Sequence, residues 1–338
     1  MNHVRLRLCA AALFGSVIVA LCGGSASLGS TASQRSGPYR VAWVMVLQNS
    51  YTQAMLKGAQ AAAKSENVTI TPFDTGFSPQ KQFSVIQDVI SLHKYQGILV
   101  QPNDSVGIQP AIKQAIKAGI QVVTLNVPVG PKATTIEPQV PGLAGSVLTP
   151  QVTWGHQLAE MTLDACKGIN PCEVAFIAGQ IGTSGDDNMI AGFKAQMKGH
   201  SAVHYLIQGG GGFLVGPSEA VAKNLLTAHS NINVIVTTGD QMTHGAQLAV
   251  QSAGMNGKVK LIGLGASTYA ISAIKSGAWY GSVVTLPLDI GRIAMQVLYK
   301  HLQNPKAAPQ GIDPATYTHR NPLITKSDIG SFKAEWSG

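Results

Sequence analysis

Short apolar runs alternate with amphipathic stretches along nearly the whole chain after residue 38. Residues 40–46 (Arg-Val-Ala-Trp-Val-Met-Val) are almost continuously apolar, as in a strand buried on both faces of a sheet. Residues 51–66 then show helical spacing and good helix formers. The same alternation predicts strands over 68–73, 96–102 and 120–125, with helices over 79–93 and 108–118 between them. Residues 130–150, which include Pro131, Pro138, Pro141 and Pro150, read as a loop. The pattern then restarts. Helices over about 153–166, 187–198, 217–228 and 242–254 alternate with strands over 173–178, 202–207, 233–237 and 259–263. A helix over about 287–302 and an extended stretch over 319–325 end the chain and are expected to cross back between the two series. Strands alternating with helices of this length mean βαβ units on parallel sheets. The fold class is therefore α/β, with two doubly wound parallel-sheet lobes.

The length of 338 residues suits two domains of roughly 150 residues each, and 45% hydrophobic against 12% charged residues excludes a disordered chain. The first residues depart from the α/β pattern. Arg5 and Arg7 precede an apolar run over 8–21, followed by Gly23-Gly24-Ser25-Ala26-Ser27. A basic start, a short apolar centre and small residues at the exit describe a secretory signal over 1–26, and the polar residues 27–38 a flexible leader. Val19-Ala20-Leu21-Cys22 offers the alternative of a lipid anchor at Cys22, although Leu21 is bulky for that role. Loss of residues 1–26 removes two basic and no acidic residues, taking the formal charge from +8 to +6. The remaining Lys and Arg are scattered with no aromatic interleaving, so no nucleic-acid partner is expected. Two cysteines remain in the mature part. In an oxidising compartment Cys166 and Cys172 read as a local disulfide bracing the turn between a helix and the next strand, the alternative being two free buried thiols.

Polar clusters stand where the predicted strands end: Gln48-Asn49-Ser50-Tyr51, Asp74-Thr75, Asn103-Asp104, Asn126, the residues 183–186, Thr238-Gly239-Asp240 and Gly265-Ala266-Ser267. Open parallel sheets bind ligands beyond the carboxyl ends of their strands, and two lobes facing each other would make a cleft closed by hinge motion. No chemistry competes with binding. The sequence has no Gly-x-Ser-x-Gly, no Walker loop and no zinc-type histidine pair, so neither an enzyme nor a metal or cofactor is expected. The glycines at 209–212 lack the strand–turn–helix order of a phosphate cradle, and His156 and His244 sit early in second-series helices.

Several motifs occur in an order and spacing that is similar to the type I periplasmic solute-binding family of sugar ABC importers, the ribose-binding-protein-like group. They are Gly58-Ala59-Gln60 behind Gln48-Asn49-Ser50-Tyr51, Pro102-Asn103-Asp104-Ser105, Gly182-Thr183-Ser184, Asn224-Leu225-Leu226-Thr227-Ala228-His229, Gly239-Asp240-Gln241-Met242 and Leu286-Pro287-Leu288-Asp289-Ile290-Gly291. The resemblance covers about residues 39–325 and implies two lobes joined by a three-segment hinge: 39–148 plus 286–321, and 149–285 plus 322–338. It also implies ligand contacts. Asn49 keeps the family's asparagine, Tyr51 an aromatic that sandwiches the sugar ring, and Phe213 the aromatic of the second lobe. Flat rings suit the C–H face of a sugar, and polar groups take its hydroxyls. Asn103, Asn126, Asp187, Asp240 and Thr285 complete the expected ligand-binding set. Asp187 is equally readable as a helix N-terminal carboxylate in solvent, and Asp240 carries the same ambiguity while leaning toward the cleft.

Departures from the ribose-binding members are numerous. Asn126-Val127 stands for Asp-Arg, Asp187 for an arginine, Gly239 for an asparagine, Gly265 for an aspartate and Thr285 for a glutamine. So many exchanged partners make ribose a poor fit and point to a larger, less hydroxylated or differently shaped ligand. The expected function is the extracytoplasmic binding component of an ABC importer, a monomer that takes a sugar or polyol and docks on a membrane permease. The competing expectations are a sensory binder that presents a sugar-like signal to a chemoreceptor or kinase, and an exported α/β enzyme. The chain is expected in the periplasm or on the outer face of the cytoplasmic membrane.

Overall fold

A computed structural model describes residues 37–318 and 321–338. The signal, most of the leader and Cys22 lie outside the described residues. The first series runs β1 (Tyr39–Met45), α1 (Ser50–Lys64), β2 (Val68–Asp74), α2 (Pro79–Ser91), β3 (Gly97–Val100), α3 (Gln109–Lys117), β4 (Gln121–Leu125) and β5 (Gly145–Val147). The second runs α4 (Gln151–Ala165), β6 (Cys172–Ile177), α5 (Ser184–Met197), β7 (Val203–Gln208), α6 (Val215–Ala228), β8 (Val234–Thr237), α7 (Asp240–Ser252), β9 (Lys260–Gly265), α8 (Thr268–Ser276) and β10 (Gly281–Val284). Then follow α9 (Pro287–Gln303), β11 (Gln310–Ile312), α10 (Pro314–Thr318) and β12 (Leu323–Thr325).

The strands form two six-stranded sheets, β2-β1-β3-β4-β5-β11 and β7-β6-β8-β9-β10-β12. Every pairing is parallel except β10 with β12. The chain passes between sheets three times: after β5, after β10 and after β11. The inner strands of each sheet are buried on both faces, which is why they read as apolar runs rather than as alternation, while the edge strands β2 and β7 are only half-buried. In β1, Val41, Trp43 and Met45 face α1 and α9, while Ala42 and Val44 face α2 and α3. In β6, Ala175 and Ile177 face α6 and α7, while Val174 and Phe176 face α4 and α5. The crossings exchange helices, since α4 follows the first sheet but covers the second, and α9 does the reverse.

Glycines set how closely the covering helices meet. A Cβ at Gly291 would lie 1.8 Å from the Met55 carbonyl oxygen, and one at Gly58 2.0 Å from that of Leu288, so α1 and α9 touch backbone to backbone. Gly155 and Gly192 do the same for α4 and α5, where a Cβ would lie 2.1 Å from Met189 O and 2.2 Å from Val152 O.

Three strands and two helices escape the sequence pattern. β5 lies within the predicted loop over 130–150, and β10, β11, α8 and α10 have no counterpart in it. Each of these strands is only three or four residues long, and Gly145-Ser146-Val147 and Gly281-Ser282-Val283-Val284 start on small residues, too short for periodicity to register. Cys166, at the end of α4, and Cys172, opening β6, form the expected disulfide. Among the described residues no helix is long and apolar enough to cross a membrane.

The close α1–α9 contact makes Gly291→Ala a sharp test of this packing. The added methyl meets backbone that cannot rotate away, so a loss of about 1–3 kcal/mol is expected from the urea-unfolding midpoint at constant slope. An unchanged midpoint would show that the two helices have room to separate.

Candidate functional site

Both sheets share the strand order in which the chain reverses direction next to its first strand, between β1 and β3 and between β6 and β8. Loops leave such a switch point on opposite faces and open a crevice at the strand carboxyl ends. A cavity of ≈ 90 Å³ lies there, with walls from both lobes. The first lobe contributes Val46, Leu47 and Asn49 after β1, Phe77 after β2, Gln101, Pro102 and Asn103 after β3, and Asn126 and Val127 after β4. The second contributes Asp186 after β6, Phe213 after β7, Thr238 and Gln241 around the β8–α7 turn, and Thr285 after β10. Gln151, Trp154 and Met189 of α4 and α5 close it. The space is well beyond what a single buried water needs and leaves room for a small ligand.

Local structure fixes these side chains. Asn49 is the N-cap of α1 in a reciprocal capping box. Its Oδ1 accepts from Thr52 N (3.0 Å), Thr52 Oγ1 accepts from Asn49 N (3.0 Å), and its Nδ2 donates across the cleft to Phe213 O at 3.5 Å. Tyr51 Oη donates to Asn126 Oδ1 (3.0 Å). Burial pushes the Tyr51 hydroxyl well above its usual titration range, only partly offset by its bond with Thr285, so it stays a neutral donor. Phe77 and Phe213 stack across the lobes, with centroids 5.8 Å apart and planes 25° from parallel. The cleft is held further by Gln241 Nε2 donating to Ser50 Oγ (3.0 Å) and Ser105 N donating to Ser184 Oγ (2.9 Å). Phe77, Asn126 and Phe213 all have positive φ (56°, 63° and 54°), so half of the six non-glycine residues in that strained region among the described residues line this one cavity. Strain of ~1–3 kcal/mol per residue persists only where surrounding contacts over-determine the geometry, typically at ligand clamps.

Of the residues expected from sequence, Asn49, Tyr51, Asn103, Asn126, Phe213 and Thr285 come together on the wall. Asp187 and Asp240 do not line it. Asp187 is exposed in the first turn of α5, where its Oδ1 accepts from Gly182 N (2.9 Å). Its neighbour Asp186, turned by ~100° around the helix, faces inward instead. Asp240 is buried behind the wall at the start of α7. Its Oδ1 accepts from Ser282 Oγ (2.9 Å) and its Oδ2 from Ser267 N (2.8 Å), while the next residue, Gln241, reaches the cavity. Burial outweighs these bonds and pushes the Asp240 carboxyl up to about 6.

Phe77, Gln101, Gln151, Trp154 and Met189 are wall residues that the sequence did not mark, and Asp186 was marked only as part of the polar cluster 183–186. Gly76-Phe77 directly after β2 carried a usable signal, an aromatic at a turn beyond a strand end. Gln151 and Trp154 gave none, because they lie on a helix that serves the other sheet. The tail supplies an unanticipated support. Trp336 packs edge-on to Tyr51 (5.4 Å, 83°) and donates from Nε1 to Gly265 O (3.2 Å). A Cβ at Gly265 would lie 2.5 Å from Trp336 Cζ2, so glycine at this position is what admits the indole. The carbonyls of Trp336 and Ser337 accept from Thr268 N and Tyr269 N in the second lobe (2.9 and 3.1 Å), and the Glu335 carboxylate accepts from Leu288 N and Asp289 N (3.1 and 3.3 Å).

This two-lobed arrangement with a cleft at matched switch points agrees with a sequence match to the family described as periplasmic binding protein domain, over residues 41–306. The chain belongs to that family. It is 26% identical to the ribose import binding protein of Salmonella typhimurium over 78% of this chain and 84% of that protein. It is also 26% identical to the D-allose-binding periplasmic protein of Escherichia coli, over 83% and 89%. A solute-binding protein of Actinobacillus succinogenes with bound D-allose superposes with a TM-score of 0.73 at 25% identity, covering 87% of this chain and all of that one. The myo-inositol binding protein of Caulobacter shares the fold at a TM-score of 0.75 and 21% identity, covering 87% and 96%.

The raised Asp240 value has a measurable consequence. Its proton is held more tightly in the folded protein, so its contribution to stability is full below about pH 4 and is lost as pH rises through about 6. Replacing Asp240 by Asn removes that dependence. Between pH 4 and 7 the stability of Asp240→Asn relative to the parent should rise by on the order of 2–3 kcal/mol. A difference that stays flat with pH contradicts a buried, proton-hungry Asp240.

Proposed function

We propose that this protein is the extracytoplasmic binding component of an ABC importer and captures a sugar- or polyol-sized ligand in the cavity between its lobes. The observation that carries this reading is the aromatic pair Phe77–Phe213, one ring from each lobe, set against polar groups from the strand ends of both sheets. Stacked rings suit the C–H face of a sugar, and a wall shared by two lobes lets a ligand favour the closed state. The relatives named for ribose and allose, and the solved neighbours holding D-allose and myo-inositol, support the same class. Asn49, Tyr51, Asn103, Asn126, Phe213 and Thr285 are proposed as ligand contacts, with Phe77, Gln101, Gln151, Trp154 and Asp186 added. Asp240 and Trp336 act as supports behind the wall. The lobes are taken as 39–148 plus 286–321 and 149–285 plus 322–338. Export by a signal at 1–26 delivers the protein to the periplasm or the outer face of the cytoplasmic membrane, where the loaded form docks on a permease.

Thermal shift with pentoses, hexoses, inositols and linear polyols tests this. A ligand at a hundred times its dissociation constant adds ~2.7 kcal/mol to stability. Phe77→Ala and Phe213→Ala should each weaken the response at least about tenfold, the loss of one buried stacking partner. A panel without any shift, or one whose shift survives both substitutions, would overturn the assignment.

A further inference from the structure

The cavity wall is lopsided in hydrogen-bonding capacity. Three amide oxygens on it, Gln101 Oε1, Asn103 Oδ1 and Gln151 Oε1, are buried with no partner. Two of them are fixed as acceptors by what their nitrogens do. Asn103 Nδ2 donates to Thr75 Oγ1 (3.0 Å), and Thr75 spends its own hydrogen on Met45 O (2.9 Å). A flipped Asn103 would set oxygen against an oxygen with no hydrogen to offer. Gln151 Nε2 donates to the backbone carbonyl of Asn126, which can only accept. Neither amide can turn to hide its oxygen.

A fourth acceptor is the carboxylate of Asp186, 1% exposed and on the same wall. It accepts from Gln180 N (2.6 Å) and Thr238 Oγ1 (2.8 Å), and burial raises its pKa. Among the described residues no Lys, Arg or His lines the cavity, and Asp186 takes part in none of their ion pairs. Several wall hydrogens, by contrast, are already spent inside the protein. Tyr51 Oη gives its hydrogen to Asn126 Oδ1, Thr183 Oγ1 to Gln180 O (2.8 Å), and Thr238 Oγ1 to Asp186.

A buried acceptor left without a donor costs about 1–3 kcal/mol, and a site built this way rejects molecules that bring further acceptors or negative charge. We propose that the site selects a ligand that presents hydrogen-bond donors and carries no negative charge: neutral sugars or polyols and their amino analogues are taken, whereas sugar acids are refused. This rests on the sugar-type reading of the cleft and narrows it to a charge class.

Calorimetric titration at pH 7 separates the two. Pentoses, hexoses and inositols are each run beside the corresponding aldonic or uronic acid and, for hexoses, the amino sugar. Neutral and amino members of a matched set should bind, with the acid at least about tenfold weaker. An acid that matches its parent overturns the charge-class inference and leaves the sugar reading standing. No heat from any member overturns the sugar reading itself. Gln101→Leu provides a second arm, because the buried Gln101 Oε1 has no partner to lose. It should weaken the best neutral probe about tenfold while the melting temperature without ligand holds or rises. Unchanged affinity in this variant would show that the unpartnered oxygens do not serve the ligand.

Discussion

Parallel strands must be joined by crossovers over the face of the sheet, and this constraint shapes everything else in the molecule. Each crossover returns the chain to the same edge, so all loops that follow strands gather at one end. Where the strand order turns back, beside β1 and again beside β6, those loops part and leave a crevice. Three passages between the sheets set the two crevices opposite one another, and the resulting cavity takes its walls from loops after β1, β2, β3 and β4 and from those after β6, β7, β8 and β10.

Around that cavity the protein holds groups in states that are unfavourable by themselves. Three side chains sit on left-handed backbone, amide oxygens are buried without donors, and Asp186 has no cationic partner on the wall. Two of the groups directly behind them are held by hydrogen bonds. Asp240 accepts from Ser267 and Ser282, and the tail ties Trp336 between Tyr51 of one lobe and Gly265 of the other. A rigid, satisfied support around an unsatisfied surface is how a binding site keeps its shape while it still gains from a ligand.

The α/β class and the restart after residue 150 were legible because a strand buried on both faces writes itself as an uninterrupted apolar run, as in residues 40–46. β5, β10 and β11 were not, since three or four residues with glycine and serine among them carry no period. For the cavity, strand ends could be found but side-chain direction could not. At Asp186-Asp187 and at Asp240-Gln241 the sequence places a polar pair at a helix start, and only the helix rotation decides which member faces inward. Each time the other member of the pair was the one expected. Trp336 was out of reach for a different reason: it meets Tyr51 from nearly three hundred residues away in sequence, and no local pattern marks it.

A crystal structure of the protein loaded with the neutral sugar or polyol that stabilises it best would examine the cavity atom by atom. The ligand should lie in the cavity against the Phe77–Phe213 pair, with donor groups within about 3.2 Å of Asn103 Oδ1 and Gln151 Oε1. A ligand bound elsewhere, or one in the cleft that leaves both oxygens without a donor, would contradict the assignment.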